Sequence, residues 1–133
     1  MKKILFDFWN VIYFRDYGPN MELINSFELM CSQGYELCLF TNTRRDFVEE
    51  VDANIPFLKF FLKVIYCEQY RKPDVRAYEN LEKDLECKFE DMVFVDDEKE
   101  NILVAESFGI MGVLFENTER TKLKLDEILK HDI

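Results

Sequence analysis

Polar residues stand where several apolar runs of this chain stop, and their types suggest chemistry. FDFW places Asp7 at the end of the first run, LFTN ends the second with Thr41 and Asn42, and VFVDD closes another with Asp96 and Asp97. RKP sets Lys72 before a proline. Taken singly, each has an ordinary structural use: a turn or helix cap, a solvated helix start, an N-cap pair. Taken together, they are a reactive set. Carboxylates gathered in one place repel, and one of them would protonate. A hard divalent cation removes that repulsion, and oxygen-only ligands favour magnesium. Lys72 and Thr41 would then hold an anionic group, with help from backbone N–H groups at a helix start. A metal, a carboxylate nucleophile and an anion clamp are the parts of phosphoryl transfer.

These residues can meet only if the elements between them bring the run ends to one edge. KILFDFW, ELCLFTN, LKVIYC, DMVFVDD and GVLFE read as strands, too continuously apolar to leave one face wet. Helical periodicity fills the gaps. Met21, Ile24, Phe27 and Met30 mark a helix over about residues 20–33, stopped by Gly34. A weaker pattern covers about 44–52. The spacing of Val75, Tyr78, Leu81 and Leu85 predicts a third helix opening at Pro73, a favourable first position. A fourth spans about 98–108 and ends at Gly109; the last covers about 118–130. Alternating strands and helices mean parallel βαβ units with right-handed crossovers. In such sheets ligands bind beyond the carboxyl ends of the strands, where the strand order reverses. The polar run ends fall at that edge.

Bulk properties narrow the partners. A net charge of −10 argues against nucleic acid and against an anionic membrane surface, both of which are gripped by Lys and Arg. A small anion remains compatible, because a local site can be positive on a negative protein. No stretch approaches the length of a membrane span, and the first apolar run is too short and too acidic for a signal peptide. Cys31, Cys38, Cys67 and Cys87 form no C-x-x-C pair, and with His131 they make no plausible zinc set. Cys38 and Cys67 lie inside apolar runs and read as small buried hydrophobes, which suits a reducing, cytoplasmic setting. The length and the hydrophobic share of 48% fit one domain over residues 1–133.

At this point the sequence resembles the haloacid dehalogenase-like (HAD) hydrolase superfamily. FDFWNVI resembles its first motif, LCLFTNT the second, RKPDVRAYENLEKDL the third and MVFVDDEKENILVAESFGI the fourth. The resemblance implies a Rossmann-like three-layer α/β/α fold with a five-stranded parallel sheet of order 3-2-1-4-5. It implies Asp7 as nucleophile, Thr41 as the phosphate-binding hydroxyl with Asn42 beside it, and Lys72 neutralising the phosphate and steadying the nucleophile. Magnesium would be held by Asp7, Asp96 and the backbone carbonyl of Trp9, with Asp97 also serving the metal. Asn101, Ala105 and Gly109 would be supporting positions. The implied partner is a phosphorylated small molecule or a phosphoprotein.

Two departures from the family pattern shape the expectation. Neither the stretch after the first motif nor the segment between Thr41 and Lys72 is long enough for a cap domain, so the site should be open. Tyr13, Phe14 and Tyr17 in the first loop would form an aromatic lip or a homodimer surface, or else pack beneath the loop. The second departure is Trp9, which stands where phosphatases of this family usually carry the general acid and base. An indole neither donates nor accepts a catalytic proton near neutral pH. Its loss costs roughly 10²–10⁴-fold, about 3–5 kcal/mol of barrier. Asp16 is near enough in sequence to substitute. Three readings follow: a slow magnesium-dependent phosphatase, a phospho-ligand-binding pseudoenzyme, and a metal-independent dehalogenase-like hydrolase. The Asp96-Asp97 pair speaks against the last.

Overall fold

A computed structural model describes residues 2–130; His131 lies outside them. Five strands form one parallel sheet: β1 (Lys3–Phe6), β4 (Glu36–Thr41), β5 (Phe61–Tyr66), β6 (Met92–Asp96) and β7 (Met111–Leu114). Their spatial order is β5-β4-β1-β6-β7, which is the expected 3-2-1-4-5. The chain winds outward from β1 to one side, then returns and winds to the other, so the order reverses beside β1. The registers run Ile4 against Leu37 and Val93, and Phe6 against Leu39 and Val95. In the gap after β1, β2 (Tyr13–Phe14) and β3 (Gly18–Pro19) form a small antiparallel hairpin.

Strand alternation splits the core into two layers. Ile4, Phe6, Leu37, Leu39, Val93 and Val95 face one side. There they meet α1 (Met21–Ser32), α2 (Arg45–Asn54) and α5 (Thr118–Lys130) through Leu23, Phe27, Val48, Val51, Leu125 and Leu129. Leu5, Cys38, Phe40 and Phe94 face the other. Their partners there are Tyr78, α3 (Leu81–Leu85) and α4 (Lys99–Ser107), through Leu81, Ile102 and Ala105. The three inner strands are covered on both faces, as their unbroken apolar runs require.

The outer strands are not. β5 exposes Leu62 and Lys63, and Met111 of β7 is 43% exposed. An edge strand has a neighbour on one side only, and the short α3 leaves part of the β5 face uncovered. The third helix also differs from its expectation. Pro73 follows a cis peptide bond after Lys72, and residues 75–77 form a single 3₁₀ turn capped by Asp74, whose carboxylate accepts from the Arg76 N–H at 2.9 Å. The α-helix proper starts at Leu81 and lasts five residues. Asp74 caps so early a turn that the apolar spacing of Val75 and Tyr78 is used by a turn, with Val75 itself exposed.

Gly34 and Gly109 end α1 and α4 at φ of +93° and +97°, where a side chain would strain the backbone. Both sit where the sequence placed them. No helix among the described residues is long and apolar enough to cross a membrane. No cap domain interrupts the described chain after β1, where the hairpin sits, or between β4 and β5, where α2 sits.

Candidate active site

Asp7 lies one residue beyond β1, held in line by its N–H donating to Val95 O at 3.0 Å. The chain then turns sharply: Phe8 O accepts from the N–H groups of Val11, Ile12 and Tyr13. Asn10 takes φ of +61° in this turn, a conformation that asparagine tolerates better than most residues. Asn20 fixes the loop from behind. Its amide donates to Val11 O at 2.9 Å and to Thr118 Oγ1 at 2.8 Å, while its Oδ1 accepts from Leu23 N and caps α1.

Asp96 is the last residue of β6 and is fully buried. Its Oδ1 accepts from the Glu98 N–H at 2.8 Å; its Oδ2 accepts from Asn101 Nδ2 at 3.0 Å and from Lys72 Nζ at 2.9 Å. Asp97 is half-buried and accepts from Asn10 Nδ2 at 3.2 Å. One oxygen from each of Asp7, Asp96 and Asp97 falls within a 4.8 Å cluster. Burial raises the carboxyl of Asp7 above its usual range, opposed by the Lys72 charge and assisted by the Asp96 charge. Burial likewise pushes Asp97 up to about 6, with the Asn10 hydrogen bond opposing and the neighbouring acids assisting. This donor set fits a magnesium ion: it is all oxygen, and its crowded carboxyls are costly to ionise without a cation.

Lys72 occupies the inside of the cluster. Its Nζ donates to Phe40 O at 2.7 Å and Asp96 Oδ2 at 2.9 Å, and pairs with Asp7 Oδ1 at 3.3 Å. Three N–H groups thus face three acceptors, and the side chain has 0% exposure. The ammonium also sits 4.9 Å and 4.6 Å from the rings of Phe40 and Phe94. Lys72, expected to neutralise the phosphate and to steady the nucleophile, is enclosed behind Asp7. A bound anion would feel its charge across that carboxylate.

Thr41 closes β4 and is also fully buried. Its hydroxyl accepts from the Thr43 N–H at 3.0 Å and donates to Thr43 Oγ1 at 3.1 Å, and it lies close enough to Asp7 to help hold that carboxylate ionised. Asn42 grips the backbone of Lys72 with both ends of its amide: Oδ1 accepts from Lys72 N at 2.9 Å and Nδ2 donates to Lys72 O at 3.0 Å. Its first task is therefore to position Lys72.

A cavity of about 240 Å³ opens at this edge of the sheet, over Asp7 and Asp97. Trp9, Asn42 and Asn101 line it, as does Thr43. So do Arg71 and Glu98, neither of which the sequence reading singled out. Arg71 is the one cationic side chain on its wall among the described residues; its guanidinium donates to Asn42 O at 3.2 Å. Its position beside Lys72 was the available signal. Trp9 is 36% exposed, stacked on Tyr13 at 5.9 Å and edge-on to Phe47 at 6.0 Å. Tyr13 and Phe14 pack inward, on Phe8 and Phe115, while Tyr17 stays 87% exposed. Asp16 sits exposed in the hairpin turn and does not line the cavity. The thiols of Cys38 and Cys67 are buried and pushed up to about 11 by desolvation, while Cys31 and Cys87 are half-buried.

A parallel sheet with its charged side chains gathered at the strand-order reversal defines a Rossmann-like α/β protein with a switch-point site. Residues 17–115 match the haloacid dehalogenase-like hydrolase family, and the chain belongs to it. An uncharacterised protein from Corynebacterium glutamicum shares the fold, with a TM-score of 0.79 at 18% identity, covering 98% of this chain and 96% of the other. An aspartate-to-alanine mutant of a HAD family enzyme from Bacteroides thetaiotaomicron, in complex with magnesium and inorganic phosphate, gives a TM-score of 0.74 at 14% identity over 90% of this chain and 98% of the other. The sesquiterpene phosphatase astK of Aspergillus oryzae is 31% identical over 62 residues, 47% of this chain and 32% of that protein. The chain thus matches less than a third of the length of the curated relatives it resembles.

Proposed function

We propose that this chain is a magnesium-dependent phosphohydrolase acting on a phosphorylated small molecule through Asp7. The observation that carries the reading is the meeting of three carboxylates within 4.8 Å, two of them, Asp7 and Asp96, paired with an enclosed ammonium and two of them, Asp7 and Asp97, lining an open cavity. The similarity to a magnesium and phosphate complex, and to a sesquiterpene phosphatase, supports the same reading. Asp7, Asp96, Asp97 and the Trp9 carbonyl would hold the ion, which supplies charge neutralisation for the incoming phosphoryl group.

The chain's own residues do the rest. Lys72 and Thr41 keep Asp7 ionised and aimed. An Asp7 carboxylate oxygen attacks phosphorus, and the ester oxygen leaves with the electron pair of the broken P–O bond. Water then attacks the aspartyl phosphate and releases phosphate, restoring Asp7. Trp9 offers no proton to the leaving group and no base to the water, so turnover is slow and the adduct long-lived.

Trp9 also favours a second reading, a phospho-ligand-binding protein without turnover. Intact-mass measurement after rapid acid quench from an activated phosphodonor separates the two. One added phosphoryl group in the wild type and none in Asp7→Asn is the expected result. A wild type that binds phosphate with magnesium yet never gains the adduct would leave only the binding function.

A further inference from the structure

The leaving group can be read from two residues on the cavity wall, Trp9 and Arg71, since Asp97, the wall acid nearest Asp7, is assigned to the magnesium ion and would give up its proton there. Trp9 stands on the wall where a proton donor would be needed. Asp16, the nearest alternative in sequence, is out on the hairpin. An alkoxide is about as basic as hydroxide, so it leaves poorly without a proton. A phosphate monoester has its second pKa near ~6 and departs as a stable anion without help. The cavity also supplies a cation that the enclosed Lys72 does not: Arg71, exposed and on the wall. Its fork is suited to phosphate oxygens.

Resting on the phosphohydrolase reading, we propose that the preferred substrate is an organic diphosphate, cleaved at its phosphoanhydride, with Arg71 binding the departing phosphate. Asp7 forms a bond to the terminal phosphorus while the bond from that phosphorus to the bridging oxygen breaks. The electron pair stays on the bridging oxygen, now part of an organic monophosphate whose new charge faces Arg71. Water then attacks phosphorus, the Asp7 oxygen is released, and a proton passes to solvent. The sum is diphosphate plus water giving monophosphate plus inorganic phosphate, with no oxidant or further reactant. Arg71 is thus a specificity residue for the leaving group, distinct from the groups that hold Asp7.

The test compares hexyl diphosphate, hexyl phosphate and p-nitrophenyl phosphate in magnesium, with phosphate release as the readout. Hexyl diphosphate should exceed hexyl phosphate in kcat/KM by at least about 100-fold, the lower range of a missing general acid. Arg71→Ala should lower the ratio of hexyl diphosphate to p-nitrophenyl phosphate by at least about tenfold, because p-nitrophenolate carries no phosphate for the guanidinium. Arg71→Lys should restore part of that ratio. Equal rates on the two hexyl substrates, with p-nitrophenyl phosphate turned over and Asp7 phosphorylated, would overturn the diphosphate assignment while leaving the phosphohydrolase intact. An Arg71→Ala loss shared equally by diphosphate and p-nitrophenyl phosphate would overturn the role of Arg71. Absence of both turnover and Asp7 adduct with all three substrates would overturn the phosphohydrolase reading, and this inference with it.

Discussion

Replacing Lys72 with Met should unsettle the protein more than any surface change. Met keeps the unbranched stem and its packing between Phe40 and Phe94, so little cavity is created. What disappears is the charge. Asp96 has 0% side-chain exposure and Asp7 10%, and each loses its one cationic partner among the described residues, at 2.9 and 3.3 Å. Breaking a buried pair by removing one partner costs about 3–5 kcal/mol. For a domain of this size that is a fall in Tm of roughly 10–20 °C. The cost should shrink at pH 5, where Asp7, already raised by burial, accepts a proton more readily. Adding Asp96→Asn should recover part of it, with a coupling of about 1–3 kcal/mol. Magnesium should raise the Tm of Lys72→Met more than that of the wild type, because the ion no longer shares its ligands with an ammonium. Scanning calorimetry in EDTA and in magnesium reads all of these. A Tm within about 3 °C of wild type at pH 7.5 in EDTA would refute the argument, since no buried triad could then depend on Lys72.

Three further outcomes follow from the same geometry. Asp96→Ala should weaken magnesium binding by at least about tenfold in titration calorimetry, roughly 1.4 kcal/mol; unchanged affinity would remove Asp96 from the metal set. Trp9→Asp should raise turnover of alkyl monophosphates by roughly 10–10³-fold, below the full value of a general acid because the wall is built on Tyr13 and Phe47; no gain would mean that proton donation does not limit the wild type. Asp97, raised to about 6, lends stability that is complete below its unfolded value of about 3.9 and is lost as pH rises through 6. Discounted for its partial exposure, this is about 1–2 kcal/mol, seen as a fall in urea midpoint from pH 4 to 6.5 in EDTA and flattened by Asp97→Asn. Magnesium affinity should rise over the same window as the competing proton leaves.

Much of this site is legible in the chain because it is written at strand ends. Asp7, Thr41 and Asp96 are each the first polar residue after a buried apolar run, and a parallel sheet delivers such ends to one edge whatever the intervening helices do. The inner strands and the glycine stops at Gly34 and Gly109 were readable for the same local reason. The third helix was not, because its apolar spacing suits a helix while the Asp74 cap closes a 3₁₀ turn first. Exposure on β5 and β7 depends on which strands fall at the sheet's edges, a matter of order and not of composition.

The sequence by itself determined the family, the winding of the sheet and the types of charge that meet. Only the tertiary structure decided how those charges are shared. Lys72 and Arg71 are adjacent cations with the same formal charge, yet one is sealed against Asp7 and Asp96 and the other stands on the cavity wall. The clamp of Asn42 on the Lys72 backbone, 30 residues away, turns the first inward. The physical reason is that hydrophobic periodicity is a local signal that survives in sequence, whereas solvation of a charge depends on neighbours brought from β4, β1 and β6 at once.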